Sequence, residues 1–326
     1  MVNLDMKDRK ILYELDLNCR QSNTQIGKKV GLSRKVVEYR IKRMEDEGII
    51  TGYWTAIDTF MLGYQVIRVY LIFQDITSKI KEDLIDYFSN CKESWAVISV
   101  SGEIEFAVIF WVKDFNWFHN FWNKTLDKYG KYFSKQTIST LNQVISYNRN
   151  FLIPDEKYKH KKELYRTSSV GQNVIINKVD FNILNELAVN ARIKLVDLSK
   201  NLNLSSQTVK NRIDNLTKKG IIKAFRVYIN FSKIGLQKFV IWIYLKNHSK
   251  KLQIINYFKD KPYLEYSCEA IGWSDLQFEI IVKNLNKLLE IIELVENKFL
   301  NSIRKQSFVI PIKYHKERWL PEMDFK

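Results

Sequence analysis

The feature that most constrains this chain is an internal repeat with an offset of 172 residues. Residues 8–15, DRKILYEL, match residues 180–187, DFNILNEL, and the alignment continues without a gap to Ile50 and Ile222. Of the 43 aligned positions, 16 are identical. About 100 residues follow each matched segment, so the 326-residue chain is predicted to hold two copies of a small unit followed by a larger one.

Each small unit is predicted to contain three helices. In the first copy, apolar residues at 11–15 have helical spacing. Ser22 and Gln25 have the spacing of a capping box, and Ser33 caps a third helix that Gly48 stops. Two capped helices joined by a tight turn form a helix-turn-helix. The alternating residues that follow, 49–58, predict a small hairpin beside it, the wing of a winged helix.

Each larger unit is predicted to be a βαββαβ domain. Apolar and β-branched runs alternate with helical patterns in the order that this domain requires. In the first copy the strands are 65–73, 95–101, 105–112 and 136–148, with helices at 78–89 and 116–128. In the second copy the strands are 238–245, 265–270, 276–282 and 305–314, with helices at 251–258 and 285–299.

The predicted fold class is therefore α+β, a tandem winged helix-turn-helix plus βαββαβ ferredoxin-like sandwich, repeated twice. The expected boundaries are 1–53 and 175–226 for the winged helices, and 54–153 and 227–326 for the sandwich domains. Residues 154–174 have many Lys and Ser and few apolar side chains, and we expect a solvated linker there. The two sandwich domains are expected to pair through their sheets, within the chain or in a homo-oligomer.

Composition excludes several classes of protein. No apolar stretch is long enough for a membrane span and the first residues lack a secretory signal, so we expect a cytoplasmic protein. Three distant cysteines support neither a disulfide framework nor a thiolate zinc site, and four scattered histidines lack ligand spacing. We expect no metal, no cofactor and no catalytic residue.

Per residue the small units are the more basic ones, with +3 and +6 against 0 and +5 for the larger units, and the +5 of the second larger unit weakens the contrast. On the third helix of the first copy, Arg34 and Lys35 lie in the first turn and acidic residues 45–47 in the last, the reverse of what the helix dipole favours. A bound polyanion would explain this order, because a recognition helix presents its first turns to DNA. The alternative is a solvated face without functional order.

The small units resemble the winged helix-turn-helix of the Lrp/AsnC family. The pattern consists of Asp-x-x-Ile-Leu-x-x-Leu, then Asn-x-Arg, Leu-Ser, Arg-Ile and Gly-Ile-Ile, and it occurs in this order in both copies. The resemblance implies a regulator of transcription that binds double-stranded DNA. It also implies a sandwich domain that mediates dimerisation and often binds a small effector such as an amino acid.

The resemblance implies DNA contacts from both third helices. The expected residues are Ser33, Arg34, Lys35, Tyr39, Arg40 and Arg43 in the first copy and Ser205, Ser206, Gln207, Thr208, Lys210 and Asn211 in the second. Arg40 has an identical counterpart in Arg212, so an ion pair that holds the helix-turn-helix together is the alternative role for both. A copy that mediates only protein contacts is a further possibility for either half.

Two turns imply an effector site. Family members carry a Thr-Gly-x-x-Asp turn between the central strands, and residues 101–105 and 271–275 match it imperfectly. The candidate effector residues are Gly102, Glu105, Gly272 and Asp275. The alternative is a plain hairpin turn that needs glycine for its backbone angles.

A second class of protein stays open. Siroheme decarboxylases resemble the same architecture, sometimes as a fusion of two units of this length, and act on a tetrapyrrole. Such an enzyme is expected to place His and Arg on or next to the central strands. Residues 95–112 and 265–282 contain neither, which favours the regulator.

Overall fold

The computed structural model describes residues 4–153, 163–171 and 173–323. The first half contains α1 (Met6–Leu17), α2 (Asn23–Val30), α3 (Arg34–Asp46), β1 (Ile50–Ile57), β2 (Gln65–Phe73), α4 (Ser78–Ser89), β3 (Ser94–Gly102), β4 (Phe106–Val112), α5 (Phe115–Tyr129), β5 (Phe133–Tyr147) and β6 (Glu163–Ser168). The second half contains α6 (Lys178–Val189), α7 (Leu195–Asn201), α8 (Ser206–Lys218), β7 (Ile222–Ile229), β8 (Gln237–Leu245), α9 (Lys251–Lys259), β9 (Leu264–Ile271), β10 (Leu276–Val282), α10 (Leu285–Lys298) and β11 (Ile303–Glu317).

We call α1–α3 with β1 the first head and α6–α8 with β7 the second head. Local sequence explains their helices. The Ser22 side chain accepts from the backbone of Gln25 at the start of α2, and Gly31 ends that helix in the left-handed conformation, with φ of 69°. Ser33 caps α3 and Ser205 caps α8 in the same way. The predicted helices are confirmed.

The expected hairpin within each head is wrong. The residues after Gly48 form one continuous strand, β1, which pairs antiparallel with β7 of the other head from Ile50↔Ile229 to Ile57↔Ile222. The reason is that each strand completes the other head's core: Val227 on β7 is fully buried in the core that α1–α3 form. The wing is therefore a two-stranded sheet that the two heads share.

The sandwich units, β2–β5 with α4 and α5 and β8–β11 with α9 and α10, build one closed ring of strands. Its order is β2-β4-β3-β11-β8-β10-β9-β5, and β5 pairs back with β2. The long strands β5 and β11 connect the units: β5 runs from β2 of its own unit to β9 of the other, and β11 runs from β8 to β3. The sandwich units thus pair within one chain.

Part of the expected linker belongs to the sheet. β6 pairs antiparallel with β5, from Gln143↔Ser168 to Tyr147↔Glu163, which extends the sheet by one strand. Leu164 and Tyr165 pack against the cluster of Trp54, Ala56 and Ala224 and give this segment an apolar contact that the Lys-rich composition of the expected linker conceals. Residues 154–162 and Gln172 of the expected linker lie outside the described residues.

The helices α4, α5, α9 and α10 cover the outer faces of the ring, where they bury separate cores against the strands. The inner faces of the strands and the shared wing face each other. Within the described part of the chain, no helix has the length and apolar character that crossing a membrane requires.

Candidate DNA-binding surface and inter-sheet cavity

The third helix of the first head, α3, presents a cationic first turn. The Ser33 hydroxyl accepts from the backbone N–H of Val36 at 3.4 Å. Arg34 and Lys35 are exposed, and Tyr39 is 68% exposed. The opposite side of the helix is buried in the head and consists of Val37, Ile41 and Met44. The exposed side is therefore free to contact a ligand outside the head.

Two arginines of α3 are held inside the head. The Arg40 guanidinium lies 2.8 Å from Asp8 Oδ1, and the Arg43 guanidinium lies 2.6 Å from Asp8 Oδ2. The Asp8 side chain is 1% exposed, so both arginines neutralise a buried carboxylate on α1. The second head repeats the contact between Arg212 and Asp180, 2.7 Å apart. Arg40 and Arg43 therefore join α3 to α1 through their ion pairs with Asp8.

The corresponding helix of the second head, α8, begins with an uncharged, hydrogen-bonding first turn. Ser205 caps the backbone N–H of Thr208 at 3.0 Å, and Ser206 bonds the Ser199 hydroxyl on α7. Its exposed side carries Gln207, Lys210 and Asn211. The Gln207 amide donates to Asn211 Oδ1 at 2.8 Å, so these two amides form one polar surface.

The heads are tied together by two equivalent arginines. Arg20 of the first head donates to the backbone oxygen of Ala191 at 2.7 Å. Arg192 of the second head donates to Asn23 Oδ1 at 2.6 Å and to the backbone oxygen of Cys19. Arg20 and Arg192 occupy identical positions of the repeat, and that identity is the signal that sequence analysis noted without assigning a role. These bonds and the shared wing fix α3 relative to α8.

The turns that were expected to bind an effector lie where the two sandwich units meet. A Cβ on Gly102 would lie 2.4 Å from the backbone oxygen of Phe308, and one on Gly272 would lie 2.5 Å from that of Ile138. Both glycines also have positive φ, 130° and 94°. Glycine is therefore required by the close approach of the other unit's long strand.

The acidic residues of these turns have equivalent backbone partners. Glu105 accepts from the backbone N–H of Phe73, and Asp275 accepts from that of Leu245, both at 2.7 Å. Each carboxylate thus pairs with the end of the first strand of its own sandwich unit. These contacts account for the residues structurally, and their effector role stays a prediction.

A cavity of about 700 Å³ lies between the inner faces of the ring and the shared wing. The first unit contributes an aromatic wall, in which Trp95 and Trp111 stack with ring centres 5.5 Å apart and planes at 4°. The second unit contributes a polar wall that includes Lys238, Glu265 and Glu279. Cavities of this size with a few polar groups are the usual binding sites of small molecules.

The polar wall is one connected network. Lys238 lies 2.9 Å from Glu265 and 3.3 Å from Glu279, and Arg149 lies 2.7 Å from Glu265. Burial alone would raise the pKa of Glu265, but the charges of Lys238, Arg149 and Arg226 outweigh burial and lower that pKa to about 2. The ion pairs therefore keep this buried carboxylate charged.

Sequence reasoning missed this network because it searched only the central strands for cations. Arg68 comes from β2, Lys238 from β8 and Arg149 from the segment after β5. Their absence from 95–112 and 265–282 therefore does not show that the cavity lacks cationic side chains. Burial raises the pKa of the Cys268 thiol in the cavity wall to about 12, which disfavours the thiolate. Among the described residues, no group of three or more His, Cys, Asp or Glu could hold a metal ion.

Comparison with known proteins agrees with the geometry of the heads. A family model described as winged helix-turn-helix DNA-binding matches residues 4–51 and 176–223. The HTH-type transcriptional regulator Ptr1 of Methanocaldococcus jannaschii is 32% identical over 111 residues, which are 31% of this chain and 75% of that protein. The HTH-type transcriptional regulator LrpB of Bacillus subtilis is 27% identical over 155 residues, 48% of this chain and all of that protein.

A solved structure matches the whole architecture. The siroheme decarboxylase NirDL superposes with a TM-score of 0.64 over 98% of this chain and 94% of that chain, at 10% identity. The same protein in complex with an iron-uroporphyrin III analogue gives 0.63. At this identity the likeness shows a shared fold. With its two matched heads and its relatives among the regulators, the chain belongs to the Lrp/AsnC family, and both units of that family are duplicated in one polypeptide.

Proposed function

We propose that this protein regulates transcription by binding double-stranded DNA in a sequence-specific manner through α3 and α8. The observation that carries the proposal is the free cationic turn at the start of α3. Arg40 and Arg43 are paired with carboxylates of the head, whereas Arg34 and Lys35 form no ion pair with any residue that the structure describes. These two cations are available to phosphates and base edges.

Their position costs stability in the free protein. Cations at a helix N-terminus oppose the helix dipole by roughly 0.3 to 1 kcal/mol each. The acidic residues Glu45 and Asp46, also exposed, occupy the other unfavourable end of α3. DNA bound at the N-terminal end of α3 would make Arg34 and Lys35 stabilising, because its phosphates attract both cations.

The test has two stages on the full chain. Selection from a random duplex pool identifies the preferred site, and fluorescence anisotropy at low salt then measures its affinity. The double variant Arg34→Ala/Lys35→Ala should bind at least tenfold more weakly, with a smaller dependence of affinity on salt. The control Lys79→Ala/Lys124→Ala removes the same charge from exposed positions of α4 and α5 and should bind within twofold of the unaltered protein. Equal DNA affinities for the two double variants would contradict the proposal that α3 contacts DNA.

The proposal extends to an amino-acid-like effector at the turns 101–105 and 271–275. Its support is the resemblance of these turns to the family's effector turn and their place where the two sandwich units meet. A thermal-shift screen of the twenty amino acids tests it. The expected result is a higher melting temperature with one amino acid, and a smaller shift in Asp275→Asn. If no amino acid changes the melting temperature, the proposed effector is contradicted.

A second candidate function is that of an enzyme acting on a tetrapyrrole. The observation that favours it is the aromatic and cationic cavity, which has a volume of about 700 Å³. Purified protein mixed with siroheme provides the test, since binding of a coloured macrocycle changes its absorbance and decarboxylation changes the product's mass. An unchanged spectrum would exclude this candidate and leave the DNA-binding proposal untouched.

A further inference from the structure

The walls of the cavity differ because the two copies carry different residues on their inner faces. The strand β2 corresponds to β8 with the offset of 172, so Arg68 corresponds to Val240 and Val66 corresponds to Lys238. Arg68, Val66 and Lys238 all line the cavity. A dimer of identical units would place the same residue on both sides, whereas the duplicated chain has an aromatic wall opposite a charged one.

Arg68 is a buried cation without a counterion. It is 4% exposed. Its Nη1 donates to Gln277 Oε1 at 2.8 Å, its Nη2 lies 3.5 Å from the Ser139 hydroxyl, and its Nε has no hydrogen-bond partner. Gln277 and Ser139 are neutral, and no carboxylate of the described chain forms an ion pair with Arg68.

Arg68 reaches the carboxylates of the polar network only through the neutral side chain of Gln277. From Gln277 the contacts continue to Glu279, and from there through Lys238 and Glu265 to Arg149. Beyond Arg149 they reach the buried pair of Asp16 and Arg226. These contacts join four cations, Arg68, Lys238, Arg149 and Arg226, to three carboxylates, Glu279, Glu265 and Asp16, and Glu317 interacts with Lys238 as a fourth.

Glu317 is a further carboxylate of the cavity wall, on β11. Its interactions are with Lys238 and the Tyr228 hydroxyl, and burial raises its pKa. It forms no ion pair in the described part of the chain. Glu317 therefore does not neutralise Arg68.

An uncompensated guanidinium in a buried site is costly, and the cost is removed when an anion pairs with it. A carboxylate has the planar geometry that matches the guanidinium fork. The stacked rings of Trp95 and Trp111 line the same cavity, and conjugated rings pack well against aromatic side chains.

We propose that this cavity binds a planar conjugated carboxylic acid, with its carboxylate on Arg68 and its ring system against Trp95 and Trp111. The proposal does not depend on the DNA-binding function. Its macrocyclic form rests on the second candidate function, and the naphthoate arm below tests the carboxylate site apart from that candidate. The shared chemistry is a flat ring system with a carboxylate, which either a small aromatic acid or a carboxylated macrocycle supplies.

The experiment measures tryptophan fluorescence and heat of binding on the full chain without DNA. The first arm compares 2-naphthoate with the uncharged 2-naphthamide, and the second arm uses uroporphyrin, a macrocyclic polycarboxylate. We expect saturable binding in at least one arm, and the responding arm identifies the source of the carboxylate. If naphthoate responds, it should bind at least tenfold more tightly than the amide. Equal binding of acid and amide, or no saturable binding of naphthoate or uroporphyrin, would overturn the proposal.

Two variants locate the site. Arg68→Met should weaken binding of the responding acid at least tenfold and leave any binding of the amide unchanged. The control Arg304→Met, at an exposed position, should bind the acid like the unaltered protein. Trp111→Leu should weaken the ring contact for acid and amide alike. An unchanged affinity of Arg68→Met for the acid would place the anion elsewhere and overturn the assignment. The comparison of acid with amide needs no variant, so it remains decisive if a variant fails to fold.

Discussion

Asp16 and Arg226 are 210 residues apart in the chain and form a buried, two-point ion pair. Arg226 Nε donates to Asp16 Oδ1 at 3.0 Å and Arg226 Nη2 donates to Asp16 Oδ2 at 2.7 Å. Both side chains are completely buried. Arg149 also contacts Asp16, at 2.9 Å. The pair therefore joins α1 of the first head, β7 of the second head and the segment after β5 of the sandwich.

The equivalent joint in the other half has different chemistry. By the offset of 172, Arg226 corresponds to Trp54 and Asp16 to Ala188. Trp54 stacks on Trp319 with ring centres 3.7 Å apart. One joint between heads and sandwich is thus ionic and the other aromatic, a difference that a symmetric dimer of identical chains could not have.

The first prediction concerns the ionic joint. Asp16→Asn should lower the free energy of unfolding by about 3–5 kcal/mol, because it leaves two buried arginines without their shared carboxylate. Urea denaturation measures the change. Asp46→Asn, at an exposed position of α3, is the control and should change stability by less than about 0.5 kcal/mol. A similar loss of unfolding free energy in both variants would show that the buried carboxylate of Asp16 stabilises the fold no more than an exposed one.

Local elements of this fold were predictable and long-range pairing was not. Strand β2 and helix α4 have the predicted bounds, 65–73 and 78–89, because a β-branched run and a capped apolar pattern act within a few residues. The pairing of β1 with β7 depends on which copy supplies the partner, and periodicity carries no information about that. A hairpin was the expected result because it is the nearest available pairing.

The DNA-binding surface was more predictable from the sequence than the cavity between the sheets. The exposure of Arg34 and Lys35 follows from helical periodicity, since Val37 and Ile41 occupy the buried side. The cavity required knowledge of which strands face one another. One signal was available: Arg68 stands inside a run of β-branched and aromatic residues, where a buried cation demands a partner.

The second prediction concerns acid stability and Glu265. Its pKa is about 2 in the folded protein and 4.5 when unperturbed, so the folded state binds its proton less readily than the unfolded state. The resulting stabilisation, on the order of 3 kcal/mol, is present above the unfolded pKa and is lost as the pH falls from 4.5 toward 2. Glu265→Gln should flatten the dependence of unfolding free energy on pH in this window.

The measurement is urea denaturation at several pH values between the two pKa values. Glu265→Gln should also be less stable near neutral pH, since Lys238 and Arg149 lose their shared carboxylate. Glu290→Gln, whose side chain is 58% exposed, serves as the control and should follow the unaltered protein. An identical pH profile for all three proteins would show that the Glu265 pKa is not lowered on folding.

The third prediction concerns the approach of the two sandwich units at Gly102. Gly102→Ala should destabilise the protein by about 1–3 kcal/mol or more, because its Cβ would lie 2.4 Å from the Phe308 oxygen and its φ is unfavourable for alanine. Gly171→Ala is the control, since nothing lies within 4 Å of its Cβ. Thermal denaturation compares them, and equal melting temperatures would contradict the close approach.

The fourth prediction separates the two kinds of cation on α3. Arg40→Ala should lower the melting temperature because Asp8 loses one of its two buried ion pairs. Arg34→Ala should leave the melting temperature unchanged or raise it slightly, because it removes a cation from the helix N-terminus. The opposite order would mean that Arg40 is not needed to hold α1 against α3.

The last prediction concerns the symmetry of the DNA site. Two identical recognition helices read two like half-sites, but α3 and α8 differ at their exposed positions. Arg34 and Lys35 favour guanine, whereas the corresponding Ser206 and Gln207, with Asn211 beside them, include amides that pair best with adenine. Because the wing and the arginine bonds fix the two heads together, one chain should select an asymmetric site.

The variant Gln207→Ala/Asn211→Ala tests this difference. It should relax base preference in one half-site only, by about 1–3 kcal/mol for each bidentate pair of hydrogen bonds that the substitutions remove. Arg34→Ala/Lys35→Ala should instead affect the other half-site and reduce the salt dependence of binding. Selection from a random duplex pool, repeated with each variant, measures both effects. A palindromic consensus that either variant relaxes equally in both halves would indicate that two chains read the site through the same helix.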